Sequence, residues 1–297
     1  MIADVLRLGR ALSIVVPEGD AAYLRRLNNA RERHVGERTA LLNQMQQLVF
    51  IMFPEFKQVI KKMRGKTVRF ILNKYTTPDK ISALDKEAFG EEMRKKSMGK
   101  FGSKDAELLI TLAQETVGIK EGVAGVALDI KHIIAQLDAL DRFIAEIEAE
   151  MALTLGRIPS SARLLSIKGL GVVSTAGLIG EVGDFSKFRT QSEIMKLAGL
   201  DLYEISSGKR KGQRRISKRG RSLIRKILYY AAVLMIRKNG IMYDYYERLT
   251  GRGMVRMRAL VAVARKLLCI IHAIMRDDRD YVGVYSAPKR RVMKKAA

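Results

Sequence analysis

The chain predicts a mainly α-helical protein: a long helical hairpin or coiled coil, followed by a compact α-helical domain with a helix-hairpin-helix-like element. Three observations predict it. From Leu109 to Met151, the residues Leu109, Leu112, Thr116, Ile119, Val123, Val126, Ile130, Ile133, Leu137, Leu140, Ile144, Ile147 and Met151 recur at alternating steps of three and four, and Thr116 is the one polar member. From Ala21 to Phe53 a second stripe runs through Leu27, Leu41 and Leu48, with Val35, Leu42 and Val49 in the adjacent row. Between Ser166 and Glu181, Gly169 and Gly171 separate two short helical patterns.

A seam held at a seven-residue repeat winds helices around each other, because the natural helical period would drift off it. Lys120, Glu121, Lys131, Asp138, Arg142, Glu146 and Glu148 lie off the seam. A coiled-coil hairpin that also dimerises is the expectation, and antiparallel packing on the Ala21–Phe53 helix within one chain is the alternative. Gly118, Gly122 and Gly125 weaken the N-terminal half, since glycine costs about 1 kcal/mol against alanine inside a helix.

The flanking segments are read from their punctuation. Residues 1–12 look like an amphipathic helix without a capping residue, as in a truncated reading frame. Ser13–Asp20 is a β-branched run closed by Pro17 and Gly19, and Pro54 ends the long helix. Turn signals at Gly65, Thr76-Thr77-Pro78 and Gly99 to Ser103 divide Glu55–Lys104 into short helices. The expected organisation is a remnant segment 1–20, a helical linker region 21–158 with a middle insertion, a C-terminal domain 159–285 and a basic, disordered tail 286–297.

With 297 residues, 47% of them hydrophobic, the chain can bury two cores of ordinary size. Its 55 Lys and Arg against 31 Asp and Glu, a formal charge of +24, point to nucleic acid or an anionic membrane surface. No apolar run reaches bilayer-spanning length, and the first residues lack the pattern of a signal peptide. The single Cys269 excludes an internal disulfide and fits a reducing cytoplasm. His34, His132 and His272 are far apart in sequence and read as packed or surface side chains, so no metal is expected.

The segment Leu197–Ala232 carries the functional signal. Between Gly208 and Lys226 there are ten Lys or Arg and no acid, directly after Ser206-Ser207-Gly208 and before an apolar helix. Like charges so concentrated repel unless a polyanion neutralises them, and each neutralised phosphate releases counterions. Lys209–Gln213 is expected as a loop. Ser222–Met235 is expected as a helix with Leu223, Ile227, Leu228 and Val233 inward and Arg221 and Arg225 on the polar side. Gly169 and Gly171 either form a plain turn or bring the next helix's amides close to a phosphate. The candidate nucleic-acid contacts are therefore Gly169, Gly171, Lys209, Arg210, Lys211, Arg214, Arg215, Lys218, Arg219, Arg221 and Arg225. Ser206 and Ser207 either shape the turn or supply a nucleophile, and the adjacent cations would then stabilise a phosphorane-like transition state.

The run from Leu164 to Tyr281, with LLSIKGLGVVSTAGLIGEVGDFSKF, LAGL, SSG, RRISKRGRSLIRKILYYAA, YYERL and VAVARKLLCIIHAIMRDDRDY, resembles the C-terminal domain of insertion-sequence transposases of the IS one-ten family. The upstream segment beginning IADVLRLG is similar to the part that follows that family's catalytic domain. The resemblance implies a RuvC-like domain with a DEDD set of metal-binding acids, a coiled-coil linker and a C-terminal serine that attacks DNA under the guidance of a structured RNA. By motif, Ser207 matches the nucleophile with Ser206 as the fallback, and the Leu109–Met151 seam matches the linker that joins subunits.

In that family the last two DEDD acids precede the segment corresponding to IADVLRLG, and Asp4 is not one of them. No cofactor is therefore expected in this chain, with Mg²⁺ entering only with a RuvC-like domain, and strand transfer by the chain alone is expected to be impaired. The implied partners are DNA, a guide RNA and further copies of the chain in a dimer or higher oligomer, without a membrane. The alternative function is a non-catalytic DNA- or RNA-binding, dimerising regulator derived from a transposase.

Overall fold

The structure, a computed structural model, describes residues 16–204 and 214–281. Its elements are α1 (Gly19–Met52), α2 (Phe56–Val59), α3 (Lys66–Tyr75), α4 (Pro78–Ser82), α5 (Lys86–Ser97), α6 (Ser103–Gln114), α7 (Val123–Gly156), α8 (Ser161–Leu165), α9 (Val172–Val182), a 3-10 turn (Phe185–Lys187), α10 (Gln191–Ala198), β1 (Leu202–Glu204), β2 (Arg214–Ile216), α11 (Ser222–Met235), α12 (Tyr243–Gly251) and α13 (Arg256–Asp277). The mainly α expectation holds. Two compact units divide the chain: Ala30–Ile147 forms one, and the residues up to Asn29 together with those from Glu148 onward form the other. The helices α1 and α7 contribute to both.

In the Ala30–Ile147 unit, α1 and α7 run antiparallel within the chain. His34 stacks at a tilt on Phe143 with ring centroids 5.9 Å apart, and Arg38 Nη1 reaches Asp141 Oδ1 at 2.9 Å. Arg69 on α3 closes the same network, donating to Asp138 at 3.0 Å and Asp141 at 2.6 Å. The seam residues Ile130, Ile133 and Leu137 are buried with Leu42, Met45 and Val49 of α1 and with the short helices, around Phe53, Phe56 and Phe89. Each such side chain contributes about 1.5–3 kcal/mol on leaving water. The intrachain alternative is thus where this part of the seam is used.

The seam is also not one helix. It ends at Gln114 and resumes at Val123, and the intervening residues are stitched to the end of α1. Thr116 Oγ1 donates to Glu55 Oε2 at 2.7 Å, the Val117 amide donates to Glu55 Oε1 at 3.2 Å, and the Ile119 amide donates to the Ile51 carbonyl at 3.1 Å. A Cβ on Gly118 would lie 2.0 Å from the Met52 carbonyl oxygen, so the backbone there approaches α1 as only glycine permits. The polar exception in the seam is the residue that pairs with Glu55.

In the other unit α9 is buried along most of its length and packs on the first turns of α1 through glycines. A Cβ on Gly180 would meet the Arg25 nitrogen at 2.6 Å, and one on Gly177 would meet Ile227 Cδ1 at 2.5 Å and Asn28 Nδ2 at 3.2 Å. Along α13 the residues Ala259, Val263, Leu267, Ile271 and Ile274 are buried at helical spacing. His272 is a packed histidine, its Nε2 lying 2.8 Å from the Phe188 carbonyl oxygen. Burial pushes the Cys269 thiol up, against the opposing pull of Lys266 and Arg265. On α11 the inward row is Ile224, Leu228, Ala231, Ala232 and Met235. Leu223, Ile227 and Val233, expected inside, are only half-buried, because the packed stripe is set by α9 and α13 one position away.

Candidate nucleic-acid interface

The described residues on either side of the serine pair form a two-stranded antiparallel ribbon, β1 with β2. Leu202 pairs with Ile216, Tyr203 with Arg215 and Glu204 with Arg214. Cross-strand partners share a face, so Leu202, Ile216, Glu204 and Arg214 lie on one side and Tyr203 with Arg215 on the other. Glu204 accepts from Arg214 Nε at 2.9 Å, which neutralises one cation of the ribbon. Arg215, Lys218 and Arg219 are exposed. Ser206, Ser207, Lys209, Arg210 and Lys211 lie outside the described residues, between the paired Glu204 and Arg214.

The base of the ribbon is tied by backbone contacts. The Ser217 amide donates to the Asp201 carbonyl at 2.9 Å, that of Lys218 to Gly199 at 2.9 Å and that of Arg221 to Leu197 at 2.7 Å. The Ser217 hydroxyl also donates to the Asp201 carboxylate. Gly199 ends α10 in the left-handed region at φ +64°. Arg225 Nη1 donates to the carbonyls of Ala198 at 2.9 Å and Gly220 at 3.0 Å, satisfying the end of α10 and the approach to α11 at once.

Two candidate cations are therefore placed differently from the expectation that they stay on the polar side of α11. Arg225 is half-buried and committed to those two carbonyls. Arg221 donates to the Glu181 backbone carbonyl and lies 3.8 Å from its carboxylate, and Arg25 of α1 approaches the same carboxylate at 3.4 Å. Burial, with Arg25 nearby, pulls the Arg221 guanidinium below its usual range, while Glu181 opposes the shift. Glu181 is 5% exposed. A buried acid with two arginines holds together only if all three remain, since removing one partner leaves an uncompensated charge. Neither Arg25 nor Glu181 stands out in the sequence, except that Glu181 is an acid inside an otherwise apolar helix.

The glycine turn has the shape the spacing suggests. Gly169 sits at φ +107°, where a side chain would be strained and its Cβ would meet Met235 Cγ at 2.8 Å. Gly171 is the N-cap of α9, exposed, with nothing within 4 Å of a would-be Cβ. Neither α9 nor α11 has a side-chain cap or an acid in its first turn, whereas α10 has both, Thr190 and Glu193. The starts of α9 and α11 thus keep the uncompensated positive end of the helix dipole.

Residues 161–247 match the profile of the Transposase IS116/IS110/IS902 family. The chain is similar to the uncharacterised 44.8 kDa protein of insertion element IS116 from Streptomyces clavuligerus, with 26% identity over 94% of this chain and 70% of that protein. It is 23% identical to the uncharacterised 43.6 kDa protein of insertion element IS110 from Streptomyces coelicolor, over 82% of this chain and 60% of that one. With the transposase for insertion sequence element IS1111A from Coxiella burnetii it shares 28% identity over 59% of this chain and 48% of that protein.

Proposed function

We propose, from the match of residues 161–247 to the IS116/IS110/IS902 transposase family and the likeness to insertion-element proteins, that the chain acts in DNA transposition, with the ribbon as the part that receives the DNA backbone and Ser207 as the nucleophile. The observation that carries the reading is the pairing of Glu204 with Arg214 inside the family-matched segment. It makes residues 205–213, with both serines, the sequence that connects two paired strands, with exposed Arg215 in β2 and exposed Lys218 and Arg219 just beyond it. In the step proposed, Ser207 Oγ forms the bond to phosphorus, a sugar oxygen leaves with the bond it breaks, and the serine's proton passes to that oxygen. The guanidinium and ammonium groups of the basic run, its neighbours in sequence, would stabilise the charge that builds on the phosphoryl oxygens. Ser206 is the fallback nucleophile.

Magnesium has no fitting set of ligands among the described residues, where no three of His, Cys, Asp and Glu converge. Asp201 and Glu204, the acids nearest the ribbon, are spent on Ser217 and Arg214. The guide RNA and a subunit contact through the α1–α7 hairpin belong to the same proposal; Leu128 and Phe143 are among the exposed apolar side chains of α7 that a second copy could cover. Among the described residues no helix is long and apolar enough to cross a membrane.

The test is a denaturant-stable protein–DNA adduct, formed on element-end DNA with a RuvC-like domain of the family supplied. Ser207→Ala should abolish the adduct and Ser206→Ala should retain it. The reverse pattern moves the role to the fallback, and an adduct that survives both substitutions removes the serine mechanism.

A further inference from the structure

Residues 251–258, which lead from α12 into α13, are exposed at every position. Three of them are large and apolar: Val255 is 62% exposed, Met257 56% and Met254 38%. Folding gains little from side chains left in water, each forgoing about 1.5–3 kcal/mol of burial. Arg252, Arg256 and Arg258 alternate with them, and from Arg248 to Arg276 the chain contains no Asp or Glu. Large apolar side chains left exposed so close together in sequence are the kind of feature that marks an interaction site, and the charge around them selects the partner.

The electrostatics of α13 point the same way. Its N-cap, Val255, offers no side-chain hydrogen bond, and its first turn holds no acid. That turn instead carries Arg256 and Arg258, at the end of a 22-residue helix where the dipole already repels cations. An anion placed here meets the uncapped amides with Arg256 beside them. Beside it, the Tyr229 hydroxyl of α11 contacts Met257 Sδ at 3.8 Å, and Tyr230 is 59% exposed. Apolar tips flanked by arginines fit the minor groove of duplex DNA, where cations take the phosphates on either side and Met or a similar wedge enters between base steps.

We infer that the 251–258 turn is a second DNA-binding element, separate in sequence from the ribbon, which inserts Met254 and Val255 into the minor groove while Arg252 and Arg256 bind flanking phosphates. It rests on the reading of the chain as a DNA-acting transposase, and it predicts that bound DNA is bent at this contact.

The test uses the full chain with a short duplex labelled at both ends, reading affinity by anisotropy and bending by energy transfer. M254S/V255S should weaken binding about tenfold, leave the salt dependence in place and reduce the bend. R252A/R256A should lower the slope of log affinity against log salt by about two. If both variants bind and bend DNA like the unaltered chain while R215A/R219A binds more weakly, the ribbon stands and the inference fails. If the unaltered chain binds no duplex at all, both readings fail. Binding to anionic phospholipid vesicles that M254S/V255S abolishes, with DNA binding unchanged, would overturn the inference in favour of a membrane surface.

Discussion

Gly199 and Gly220 stand backbone to backbone: a Cβ on Gly220 would lie 2.3 Å from the Gly199 nitrogen and 2.2 Å from the Leu197 carbonyl oxygen. These obstacles are backbone atoms of the turn that ends α10, so they cannot rotate aside as a side chain would. Gly220→Ala is expected to push the ribbon off its base and cost about 1–3 kcal/mol or more. A thermal melt followed by circular dichroism checks this, with Gly171→Ala, where space is open, as the control. Equal melting temperatures for the two variants would contradict the close approach.

Cations that touch DNA and cations that hold the fold should separate cleanly. Arg215→Ala and Arg219→Ala are each expected to lower the salt slope of DNA binding by about 0.9 for every phosphate contact removed, with the melting temperature unchanged. Arg225→Ala is expected to leave two carbonyls unpaired and cost about 1–3 kcal/mol of stability. A variant of Arg215 or Arg219 with an unaltered slope would show that its side chain makes no phosphate contact.

Acid should weaken the contact between Glu55 and the segment that breaks the seam. Burial raises the Glu55 carboxyl, but hydrogen bonds from Thr116 and the Val117 amide, with Lys120 nearby, bring it below the usual carboxylate range on balance. A depressed folded value adds stability above the unfolded carboxyl pKa, and that stability is lost as pH falls through the folded value. Thr116→Val is therefore expected to cost about 1 kcal/mol near neutral pH, where the charge is screened by solvent, and nothing once Glu55 is protonated. Urea melts across that pH range decide it. A constant penalty at all pH values would assign the loss to packing instead.

Much of the helical layout is legible because apolar periodicity reports burial directly. The α1 stripe, α7 from Val123 onward and the turn at Gly169 and Gly171 follow from spacing and glycine placement alone. The break after Gln114 is signalled only by Thr116 and three glycines, because a seam of side chains does not reveal where the backbone turns aside to pair with another helix. On α11 Leu228 faces inward as expected, but Leu223, Ile227 and Val233 are each off by one position for a similar reason: Ile224 and Leu223 are equally apolar, and neighbouring helices decide between them. The site divides in the same way. Arg215, Lys218 and Arg219 are exposed cations, as an acid-free run suggests, while Arg221 and Arg225 look identical to them in sequence and are drawn into the fold.

Composition and local pattern are thus sufficient to declare a helical, strongly cationic protein, to mark the serine-headed basic run and to connect it with a transposase family, because each of these depends on residues close together in the chain. The tertiary structure decided which partners those residues face. Glu55 meets Thr116 across 61 positions and Arg221 meets Glu181 across 40. Such pairings depend on how helices pack, since an apolar stripe records that a face is covered without recording what covers it. The same packing turns part of the basic run into a paired ribbon and removes two of its arginines to support it.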